Sequence, residues 1–482
     1  MAAAPPDDRE LRGEPIAVLG LGIEGRDIGR FLLERGARVA VFDTRPRGDV
    51  AEAAAEMESL GATVHLGPVS AATVDGYAAL YVSQSVLLHR DPLVARMRVL
   101  GRPVRTMLAE FLRRWPGPIA GITGSSGKTT TTALVDAAFT AAGVPHILGG
   151  NIGRPLLAQL PAAVKARWAV LEISHTQLQH TGRSPNIAAV TNVTPNHLDQ
   201  FSWDQYVELK RSLLRYQSRD DVAVLNAADP ICAGFQHDTL ARPVWFNGDG
   251  GERCFYADDR SLIERSPAGA APFLAIAEIP LRGAHNVENV LAAAAVAAAS
   301  GISLETFAGA VRTFRPVAHR LELVTMDGGV AYYNDSIATS PERTLAGMRS
   351  FDEPLVLLLG GREKNLPLAE LAAAARARAR AVICFGEAGP ALAGALTQHA
   401  DEDGAGIDVV LVDTLEQAVL AARARAVAGD VVLLSPACTS FDAYPNFERR
   451  GEEFRRIVLD QPAARASAPR AHSREAGAPS QQ

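Results

Sequence analysis

The chain has 482 residues, of which 48% are hydrophobic and 21% are charged, and its formal net charge is −6. A prior of roughly 100–200 residues per domain predicts about three domains. A mildly acidic chain gives no electrostatic basis for binding nucleic acid or an anionic membrane. The four cysteines form no C-x-x-C motif, and scattered reduced thiols are typical of a cytoplasmic protein.

Neither end of the chain reads as a folded segment or a targeting signal. The first residues are polar and proline-rich, with no basic stretch before an apolar run, so no signal peptide is expected. The last residues are mainly Ala, Pro, Ser, Arg and Gln and offer little to bury. We predict disordered tails over 1–13 and 461–482. The apolar runs elsewhere are short or interrupted, so membrane insertion is not expected.

Between the tails, short apolar strands alternate with amphipathic helices. The first series begins with PIAVLGLG, a strand that leads into a glycine turn, and continues with the helix RDIGRFLLERG and the strand ARVAVFD. A second series begins at PIAGITG, and a third begins after residue 318. This alternation is typical of α/β domains whose parallel sheets are covered on both faces. We predict three such domains, over 14–110, 111–318 and 319–460.

The first series carries a glycine pattern that is typical of nucleotide-binding folds. Gly20, Gly22 and Gly25 follow the first strand and open a helix, and Asp43 ends the next strand. Such glycines let the backbone approach a phosphate at a helix N-terminus. Any nucleotide diphosphate can use this turn, so the pattern does not by itself indicate NAD. A tight turn without a ligand is the alternative.

The stretch GITGSSGKTTTT resembles a phosphate-binding loop with altered spacing. The general pattern G-x-x-x-x-G-K-[ST] requires glycine at position 122, but Ile122 stands there and the glycine is Gly121. Successive backbone N–H groups still form an anion-binding nest in this spacing. We expect Lys128 to reach the β- and γ-phosphates of a nucleotide and the Thr129 hydroxyl to bind magnesium.

Two further segments place metal-binding side chains after consecutive strands. Glu172 lies in LEISHTQL and His197 lies in VTNVTPNHLD, and each segment follows an apolar strand. The carboxyl ends of parallel strands meet at one edge of a sheet, where the phosphate loop also lies. Glu172 and His197 are therefore expected to meet a metal ion beside Lys128, although single residues of either type are more often structural.

The third series ends two of its strands in small polar residues. NDSIATSP and LLSPACTSFDAYPNFERRGEEF place hydroxyl and carboxylate groups at strand ends, and these groups belong to Asp335, Ser336, Thr339, Ser435 and Ser440. Such an edge suits a small polar substrate. Taken alone, these residues are equally compatible with ordinary loops.

In combination, the segments resemble the Mur ligase family. The motifs that carry the resemblance are, in chain order, GITGSSGKTTTT, GGNIG, TNVTPNHLDQF, QYVELK, GAHNVENVLAA, the pair at 319–320, NDSIAT and SPACTSFDAYPNFERRG. The resemblance implies a Rossmann-like first domain that binds the UDP part of a UDP-sugar. It also implies a central P-loop ATPase-type domain with a parallel sheet and a third domain of Rossmann-like or dihydrofolate-reductase-like fold.

The resemblance implies an ATP-dependent reaction that forms an amide bond. It implies that D-glutamate is added to UDP-N-acetylmuramoyl-L-alanine through an acyl phosphate, in cytoplasmic synthesis of peptidoglycan precursors. The implied ligands are ATP, glutamate, the UDP-sugar and two magnesium ions. We also expect a monomer that binds no nucleic acid.

The resemblance also assigns residues by position. Those implied to bind ATP are Gly124, Ser125, Ser126, Gly127, Lys128, Thr129, Thr130, Asn286, Asn289, Arg320 and Asp335. Those implied to bind the UDP-sugar are Gly20, Gly22, Gly25, Asp43, Thr44, Arg45 and Asn151. Those implied to bind glutamate are Thr339, Lys364, Ser440 and Phe447. The implied metal ligands are Thr129, Glu172, His197 and a carbamylated Lys210, and the implied catalytic residues are Lys128, Glu172, His197 and Lys210.

Three segments depart from the pattern of the branch that uses D-glutamate. The first-domain loop reads VSQSVLLHRD without Pro-Gly, His175 and Thr176 replace Ser and Phe, and Ile337 replaces Lys. The loss of the lysine charge leaves open a variant branch that attaches L-glutamate. The sequence is also compatible with a related ligase with the same core, a nucleotide-binding regulator without catalysis, and a dinucleotide-dependent oxidoreductase fused to a phosphate-loop domain.

Overall fold

The computed structural model describes residues 8–152, 154–198, 200–248, 250–315, 318–364, 366–397 and 407–460. The chain divides into two compact units, residues 1–315 and 316–482. The described residues form three sheets, two in the first unit and one in the second. This is the α/β architecture with largely parallel sheets that the sequence predicts. The finer division into three domains, with limits at 110 and 318, stays a prediction.

The first sheet is parallel, with the strand order β3-β2-β1-β4-β5. Its strands are β1 (Pro15–Leu19), β2 (Arg38–Asp43), β3 (Thr63–Leu66), β4 (Ala79–Val82) and β5 (Val104–Thr106). The helices that accompany it are α1 (Ile23–Glu34), α2 (Arg47–Ser59), α3 (Pro92–Val99) and α4 (Met107–Arg114), with 3-10 turns at Asp8–Glu10 and Ala71–Gly76.

The turn between β1 and α1 requires glycine for steric reasons. Gly20 has a φ of 94°, and a Cβ there would overlap the Ser83 hydroxyl. A Cβ on Gly25 would overlap the carbonyl oxygen of Gly20, so α1 approaches the end of β1 more closely than any side chain permits. The glycine pattern in the sequence therefore reports backbone contact in this turn.

The prediction of a disordered tail over 1–13 is wrong for residues 8–13. Asp8–Glu10 forms a 3-10 turn, and Leu11 is buried in the core of the first unit. Arg114 pairs with Asp8 and Glu10 at the start of this segment. The proline-rich composition gave no sign that Leu11 packs into the core or that Asp8 and Glu10 pair with Arg114. Residues 1–7 lie outside the described part of the chain.

The second sheet has the strand order β14-β13-β12-β11-β10-β9-β6-β8-β7. Its strands are β6 (Ile119–Thr123), β7 (His146–Gly150), β8 (Trp168–Glu172), β9 (Ile187–Val190), β10 (Val222–Asn226), β11 (Arg242–Phe246), β12 (Cys254–Ala257), β13 (Ser261–Ser266) and β14 (Gly269–Ala275). Its helices are α5 (Lys128–Ala141), α6 (Trp203–Ser212), α7 (Pro230–Gly234), α8 (Ala284–Ala299) and α9 (Leu304–Arg312). Further 3-10 turns lie at Leu157–Val164, Gln177–Gln179, Phe235–Asp238 and Ile276–Glu278.

The order of this sheet brings three chain segments to one edge. β6 pairs in parallel with β8 on one side and with β9 on the other. Ile122 is opposite Glu172, and Thr123 is opposite Val190. The phosphate loop, the segment after Glu172 and the segment after Val190 therefore leave the sheet side by side. Strands β12, β13 and β14 are joined in antiparallel fashion at the far end of the sheet, and the sequence does not predict them.

The second unit contains one sheet with the order β15-β16-β20-β17-β18-β19. Its strands are β15 (Glu322–Asp327), β16 (Val330–Asn334), β17 (Leu355–Gly360), β18 (Ala379–Phe385), β19 (Asp408–Leu411) and β20 (Val431–Ala437). Its helices are α10 (Pro341–Met348), α11 (Ala369–Arg378), α12 (Gly389–Thr397), α13 (Leu415–Arg423) and α14 (Phe447–Asp460). The sheet is parallel except for β15, and both of its faces are covered by apolar clusters. The tail predicted over 461–482 lies outside the described residues.

Candidate active site

The phosphate loop joins β6 to the N-terminus of α5. Gly124 and Gly127 have φ values of 153° and 80°. A Cβ on Gly124 would overlap the Thr191 hydroxyl, and one on Gly127 would overlap Oδ1 of Asn289. Both positions therefore require glycine for conformation and for space. Gly121 lies inside β6, so the glycine that broke the general spacing belongs to the strand.

Groups from the segment after β9 and from α6 hold the loop in shape. The Ser126 amide donates to Oδ1 of Asn192 at 2.9 Å, and the Ser125 hydroxyl donates to the Thr194 carbonyl oxygen at 2.9 Å. The Tyr206 hydroxyl of α6 donates to the Ser125 hydroxyl oxygen at 3.1 Å. The anion-binding conformation is thus built into the fold before any nucleotide binds.

Lys128 lies at the first position of α5 and bends back over the loop. Its Nζ donates to the carbonyl oxygens of Gly124 at 2.9 Å and Ser125 at 3.0 Å. Thr129 is half-buried in the same turn, while the hydroxyl of Thr130 is buried and has no hydrogen-bond partner among the described residues. A cation beside a helix N-terminus is the arrangement that a polyphosphate requires.

Two asparagines of α8 lie against this loop. Asn289 Nδ2 donates to Oδ1 of Asn286 at 3.0 Å, and Asn286 Nδ2 donates to the Arg282 carbonyl oxygen at 2.7 Å. Both asparagines are buried, and Thr131 of α5 donates to Oδ1 of Asn289 at 3.4 Å. The structure therefore brings these predicted ATP positions next to the phosphate loop.

Glu172 ends β8 with one carboxylate oxygen satisfied and the other unsatisfied. Its Oε1 accepts a hydrogen bond from Asn151 Nδ2 at 2.8 Å. Its Oε2 is buried and has no hydrogen-bond partner within the described residues. A buried carboxylate oxygen without a donor is costly. The chemistry of this oxygen fits a bound cation, which supports magnesium at this position.

Lys210 of α6 is buried, with 1% of its surface exposed. Its Nζ donates to the Thr123 hydroxyl at 3.2 Å and lies 5.1 Å from the Tyr206 ring centroid. Burial, followed by the charge of Lys128, lowers the pKa of this amine well below its ordinary value, against the opposing effect of Glu172. The fold therefore places a deeply buried amine at the edge of the sheet that carries the phosphate loop.

His197 follows β9 in a left-handed conformation, with a φ of 55°. Its ring stacks on that of His175, with centroids 3.8 Å apart. His175 Nε2 lies 3.2 Å from Oε1 of Gln200, and burial, then His197, lowers the pKa of His175 to about 3. His175, which the sequence marks only as a departure from a pattern, thus lies in the site itself.

The glycine turn of the first sheet is tied to the end of β2. Asp43 Oδ2 accepts from the Leu21 amide at 2.7 Å, and Arg45 binds both Asp43 oxygens at 2.9 and 2.8 Å. The hydrogen bond from the Arg45 side chain, against partial burial, lowers the pKa of Asp43 to about 2. Thr44 and Arg45 are exposed beside the turn. The three glycines and residues 43–45 therefore lie at one sheet edge, whereas Asn151, the remaining predicted UDP-sugar position, follows β7 of the second sheet.

In the second unit, Asp335 follows β16 and is buried. Its Oδ2 accepts from the Ser435 hydroxyl at 2.8 Å, and its Oδ1 accepts from the Leu321 amide at 3.3 Å. Burial raises the pKa of this carboxyl to about 7, although those bonds oppose the shift. Arg320, the neighbouring predicted ATP position, is half-buried.

The predicted glutamate positions lie in neighbouring loops of the second unit. Lys364 Nζ donates to the Thr339 hydroxyl at 3.3 Å. A bridge between Arg362 and Thr439 brings the segment that contains Ser440 beside the segment that contains Lys364. Phe447 begins α14, and its carbonyl oxygen accepts from the Ser336 hydroxyl at 2.8 Å. A cationic Lys364 in such a loop suits a carboxylate ligand.

Comparison with known proteins identifies the family. The chain matches the Mur ligase middle domain over residues 122–297 and the Mur ligase, glutamate ligase domain over residues 319–438. It is 34% identical over 460 residues to UDP-N-acetylmuramoylalanine--D-glutamate ligase of Clostridium botulinum strain 657, covering 93% of this chain and 97% of the relative. The chain belongs to the Mur ligase family.

Further comparisons agree with this assignment. A protein of the same name from Symbiobacterium thermophilum is 38% identical over 450 residues, covering 92% of this Mur ligase and 98% of the relative. The crystal structure of UDP-N-acetylmuramate-alanine ligase from Thermotoga maritima aligns with a TM-score of 0.58 and 18% identity, covering 93% of this chain and 99% of that one. The latter shows a shared fold. The family resemblance predicted from the motifs is confirmed, and the chain is a ligase.

The predicted metal ligands of this Mur ligase are chemically mixed. Among the described residues, no group of three or more His, Cys, Asp or Glu side chains is arranged to hold a metal ion. The predicted set combines the Thr129 hydroxyl, the Glu172 carboxylate, the His197 imidazole and Lys210, which becomes a ligand only as a carbamate. Of these four, Glu172 is the one with an unsatisfied buried oxygen, so the metal assignment remains a prediction.

Two buried acids of α1 were missed by the sequence reasoning. Glu24 Oε1 accepts from Gln177 Nε2 at 2.9 Å, and its Oε2 accepts from the Gln84 amide at 2.8 Å. The two oxygens of Asp27 accept from the amides of Leu157 and residue 158, both at 2.9 Å. Both acids lie close to Gly25 in a helix that buries Ile28, Phe31 and Leu32, and that placement was the available signal. Glu24 thereby joins the glycine turn to the loop after Glu172.

The second unit also contains a buried cation that belongs to a quoted motif but received no role from the sequence. Arg450 of α14 is fully buried and donates to the carbonyl oxygens of Ser336, Gly360 and Cys438 at 2.9–3.2 Å. Burial lowers its pKa to about 10. The guanidinium donates to backbone carbonyl oxygens of loop residues, which need hydrogen-bond donors when they are buried. It thus fixes the loops in which the predicted glutamate positions lie.

Proposed function

We propose that this Mur ligase joins D-glutamate to UDP-N-acetylmuramoyl-L-alanine and converts ATP to ADP and phosphate. The observation that carries the proposal is the edge of the second sheet. There a preformed phosphate loop lies beside a buried carboxylate with one unsatisfied oxygen, Glu172, and a buried amine, Lys210, whose pKa burial lowers. The curated relatives with this activity in their names match nearly the whole chain.

The reaction needs activation because a carboxylate is a poor electrophile. A carboxylate oxygen of the alanine residue attacks the γ-phosphorus of ATP, and the bond to ADP breaks. The amine of glutamate then attacks the acyl carbon, and the tetrahedral intermediate expels phosphate and releases a proton. Charge collects on the transferred phosphoryl group, so a site rich in donors and cations lowers the barrier.

The phosphate loop meets this demand with the chain's own groups. The amides from Gly124 to Thr130 and the Lys128 ammonium would bind the β- and γ-phosphates. Asn286 and Asn289 would contact the adenine, and Arg320 and Asp335 would contact the rest of ATP. Lys128 is held at the loop by carbonyl oxygens, and bound phosphate oxygens compete with those acceptors for the same ammonium.

The magnesium ligands would be divided between two ions. Thr129 and Glu172 would hold the ion on ATP, and His197 and the Lys210 carbamate would hold the second. When bound, magnesium neutralises charge that gathers on the phosphoryl oxygens. Asn151 donates to one oxygen of Glu172 and so orients the other.

We propose that Lys210 is carbamylated, and its surroundings support this. A protonated amine so deeply buried beside Lys128 is unfavourable, and the neutral amine reacts with carbon dioxide to give a carbamate and a proton. The product has one negative charge, shared by two oxygens at the end of a long side chain. A lysine whose ammonium form cannot bind a metal would thereby become a ligand of the carboxylate type.

The two other substrates would bind at separate loops. The glycine turn with Gly20, Gly22 and Gly25 would receive the diphosphate, and Asp43, Thr44 and Arg45 would contact the uracil, with Asn151 near the muramoyl group. Thr339, Lys364, Ser440 and Phe447 would form the glutamate pocket. In this pocket Lys364 supplies the positive charge that a dicarboxylic amino acid requires.

We further infer a monomer that acts in the cytoplasm, where ATP and UDP-sugars are available, in synthesis of peptidoglycan precursors. The four cysteines are buried and form no disulfide, which agrees with a reducing compartment. Among the described residues, no helix has the length and apolar character needed to cross a membrane.

The L isomer of glutamate is a second candidate substrate, because Ile337 occupies the position that is usually lysine. In the structure, the Arg343 guanidinium donates to the carbonyl oxygen of Ile337 at 3.3 Å. A different cation therefore stands beside this turn. The positive charge near this turn thus comes from a differently placed side chain, which is a reason to test both isomers.

The direct test is ADP release from the purified protein with ATP, magnesium, UDP-N-acetylmuramoyl-L-alanine and one isomer of glutamate. We expect release that depends on every component and on the D isomer. Release with the L isomer alone would assign the protein to the variant branch. If neither isomer supports release, the ligase proposal is wrong and a regulator without catalysis becomes the better account.

A further inference from the structure

His175 and His197 lie face to face at the edge of the second sheet. Their ring centroids are 3.8 Å apart, and the ring planes differ by 21°. Phe201 meets His175 edge to face at 5.8 Å, and Tyr206 packs beside the two rings at 6.0 and 6.3 Å. The imidazole of His197 is therefore held within an aromatic cluster.

The loop that carries His175 is held by several hydrogen bonds. The Ser174 amide donates to Oε1 of Gln177 at 3.1 Å, and the Gln177 amide donates to the Ser174 hydroxyl oxygen at 3.2 Å. Gln177 is held in turn by Glu24, which accepts from its side-chain amide at 2.9 Å. These hydrogen bonds hold the backbone on both sides of His175 and so restrict the position from which its ring projects.

Gln200 connects the two histidines. Its amide donates to the carbonyl oxygen of His197 at 3.0 Å, and its side-chain oxygen accepts from Nε2 of His175 at 3.2 Å. His197 also has a φ of 55°, which is unfavourable for a residue with a side chain. Such a conformation persists only where surrounding contacts hold it in place.

We propose that His175 is a positioning residue, whose ring stacks on His197 and holds that imidazole in the orientation needed for metal binding. This rests on the proposed function, in which His197 helps to hold the second magnesium ion. Stacking uses the faces of the rings, whereas a metal binds a nitrogen in the ring plane, so the two contacts are compatible. Residues that orient a ligating histidine change metal affinity by about 10–100-fold when they are replaced.

The test uses Mn²⁺ alone as the probe, titrated into the full chain and followed by the electron paramagnetic resonance signal of the free ion. We expect His175→Ala to weaken Mn²⁺ binding about tenfold. His175→Phe keeps an aromatic face and should remain within about threefold of the wild type. His180→Ala is the matched control, because it removes an exposed imidazole from the same segment.

Turnover supplies a second readout. In His175→Ala, the Mg²⁺ concentration for half-maximal ADP release should rise about tenfold, while the melting temperature changes little. If His175→Ala does not fold, His175→Leu, which has similar bulk but no aromatic face, takes its place. It should show the same loss.

Three results would overturn the positioning role. These are unchanged Mn²⁺ affinity in the Ala variant, equal losses in the Ala and Phe variants, and no Mn²⁺ binding by the wild type. Failure of the proposed function is a separate outcome, since wild-type protein that releases no ADP contradicts the ligase activity. The Mn²⁺ titration needs no turnover and reports on the stack in either case.

Discussion

At the residue scale, Lys210 is the side chain whose environment departs furthest from its ordinary one. Its amine has 1% of its surface exposed, and its described hydrogen bond goes to a threonine hydroxyl. Burying an amine in this way costs free energy. The proposed carbamylation would give this buried group a function, because it would become a metal ligand. The motif gave the position of the lysine, and the structure adds its burial and its partner.

We predict that Lys210→Ala lowers kcat by at least about 100-fold, since loss of an orienting group already costs about 10–100-fold. A short carboxylate added to the variant should restore part of the activity. The matched control is Lys165→Ala, which removes an exposed lysine. In the wild type, ¹³C-bicarbonate should give a carbamate resonance that Lys210→Ala lacks. Full activity of Lys210→Ala would contradict the carbamate.

Asp335 gives a prediction about pH. Burial raises the pKa of its carboxyl to about 7 in the native state, whereas the unfolded chain titrates near the ordinary value of about 3.9. The native state therefore binds this proton more tightly, so the contribution of Asp335 to stability falls as pH rises from about 4 to about 7. Asp335→Asn cannot ionise and should lose less stability over that range.

The measurement is urea denaturation of both proteins at several pH values, followed by circular dichroism. The difference in free energy of unfolding, wild type minus variant, should decrease as pH rises and level off above about 7. A difference that is constant or increases with pH would show that the native carboxyl is ionised throughout.

Residue contacts were the least predictable part of the site. The motifs named Glu172, Asn151 and His197, but not the bond from Asn151 to Glu172 or the stack of His175 on His197. These contacts depend on where loops from different strands come together in space. The spacing of residues along one sequence carries no information about contacts between side chains of different loops.

At the element scale, the turn between β1 and α1 offers a matched pair of glycines. A Cβ on Gly25 would collide with the carbonyl oxygen of Gly20, whereas a Cβ on Gly22 meets nothing within 4 Å and the residue has a φ of −83°. We predict that Gly25→Ala destabilises the protein by about 1–3 kcal/mol or more and raises KM for the UDP-sugar. Gly22→Ala should change stability far less.

Chemical denaturation and initial-rate kinetics of the two glycine variants test this expectation. Equal effects would mean that the close approach of α1 to β1 does not determine the turn. The comparison separates a steric requirement from the general entropy that any glycine contributes, because both variants share the latter.

The strands and helices near the motifs were predicted well because their patterns are strong. β6, β8 and β9 are apolar runs, and each ends where a polar motif begins. The antiparallel strands β12–β14 were missed. They are largely half-buried or exposed and therefore carry little apolar signal, and they are held by pairing with one another.

At the scale of the whole molecule, three series of elements form two compact units. The first and second sheets share one apolar cluster, to which Phe31, Trp115 and Leu156 all belong. Asp27 of α1 also binds the amides of residues 157 and 158. The sequence shows three series because it records the order of elements, whereas packing between consecutive sheets is decided by side chains far apart in the chain.

The second unit has cores of its own on both faces of its sheet. We predict that a fragment of residues 316–460 folds cooperatively, and that Leu357→Ala, at a fully buried position of β17, costs it about 2–5 kcal/mol. Urea denaturation followed by circular dichroism measures both. The exposed Leu420→Ala is the control. A broad, non-cooperative transition of the fragment would contradict this account.

The proposed reaction forms an amide bond between D-glutamate and a UDP-linked muramoyl-alanine. Mass spectrometry of the reaction mixture identifies the product, with isotopically labelled D- or L-glutamate supplied in separate reactions with ATP and magnesium. We predict a product heavier than the UDP-sugar by one labelled glutamate residue, formed from the D isomer and absent in Lys210→Ala. No labelled product from either isomer, or a product from the L isomer alone, would contradict it.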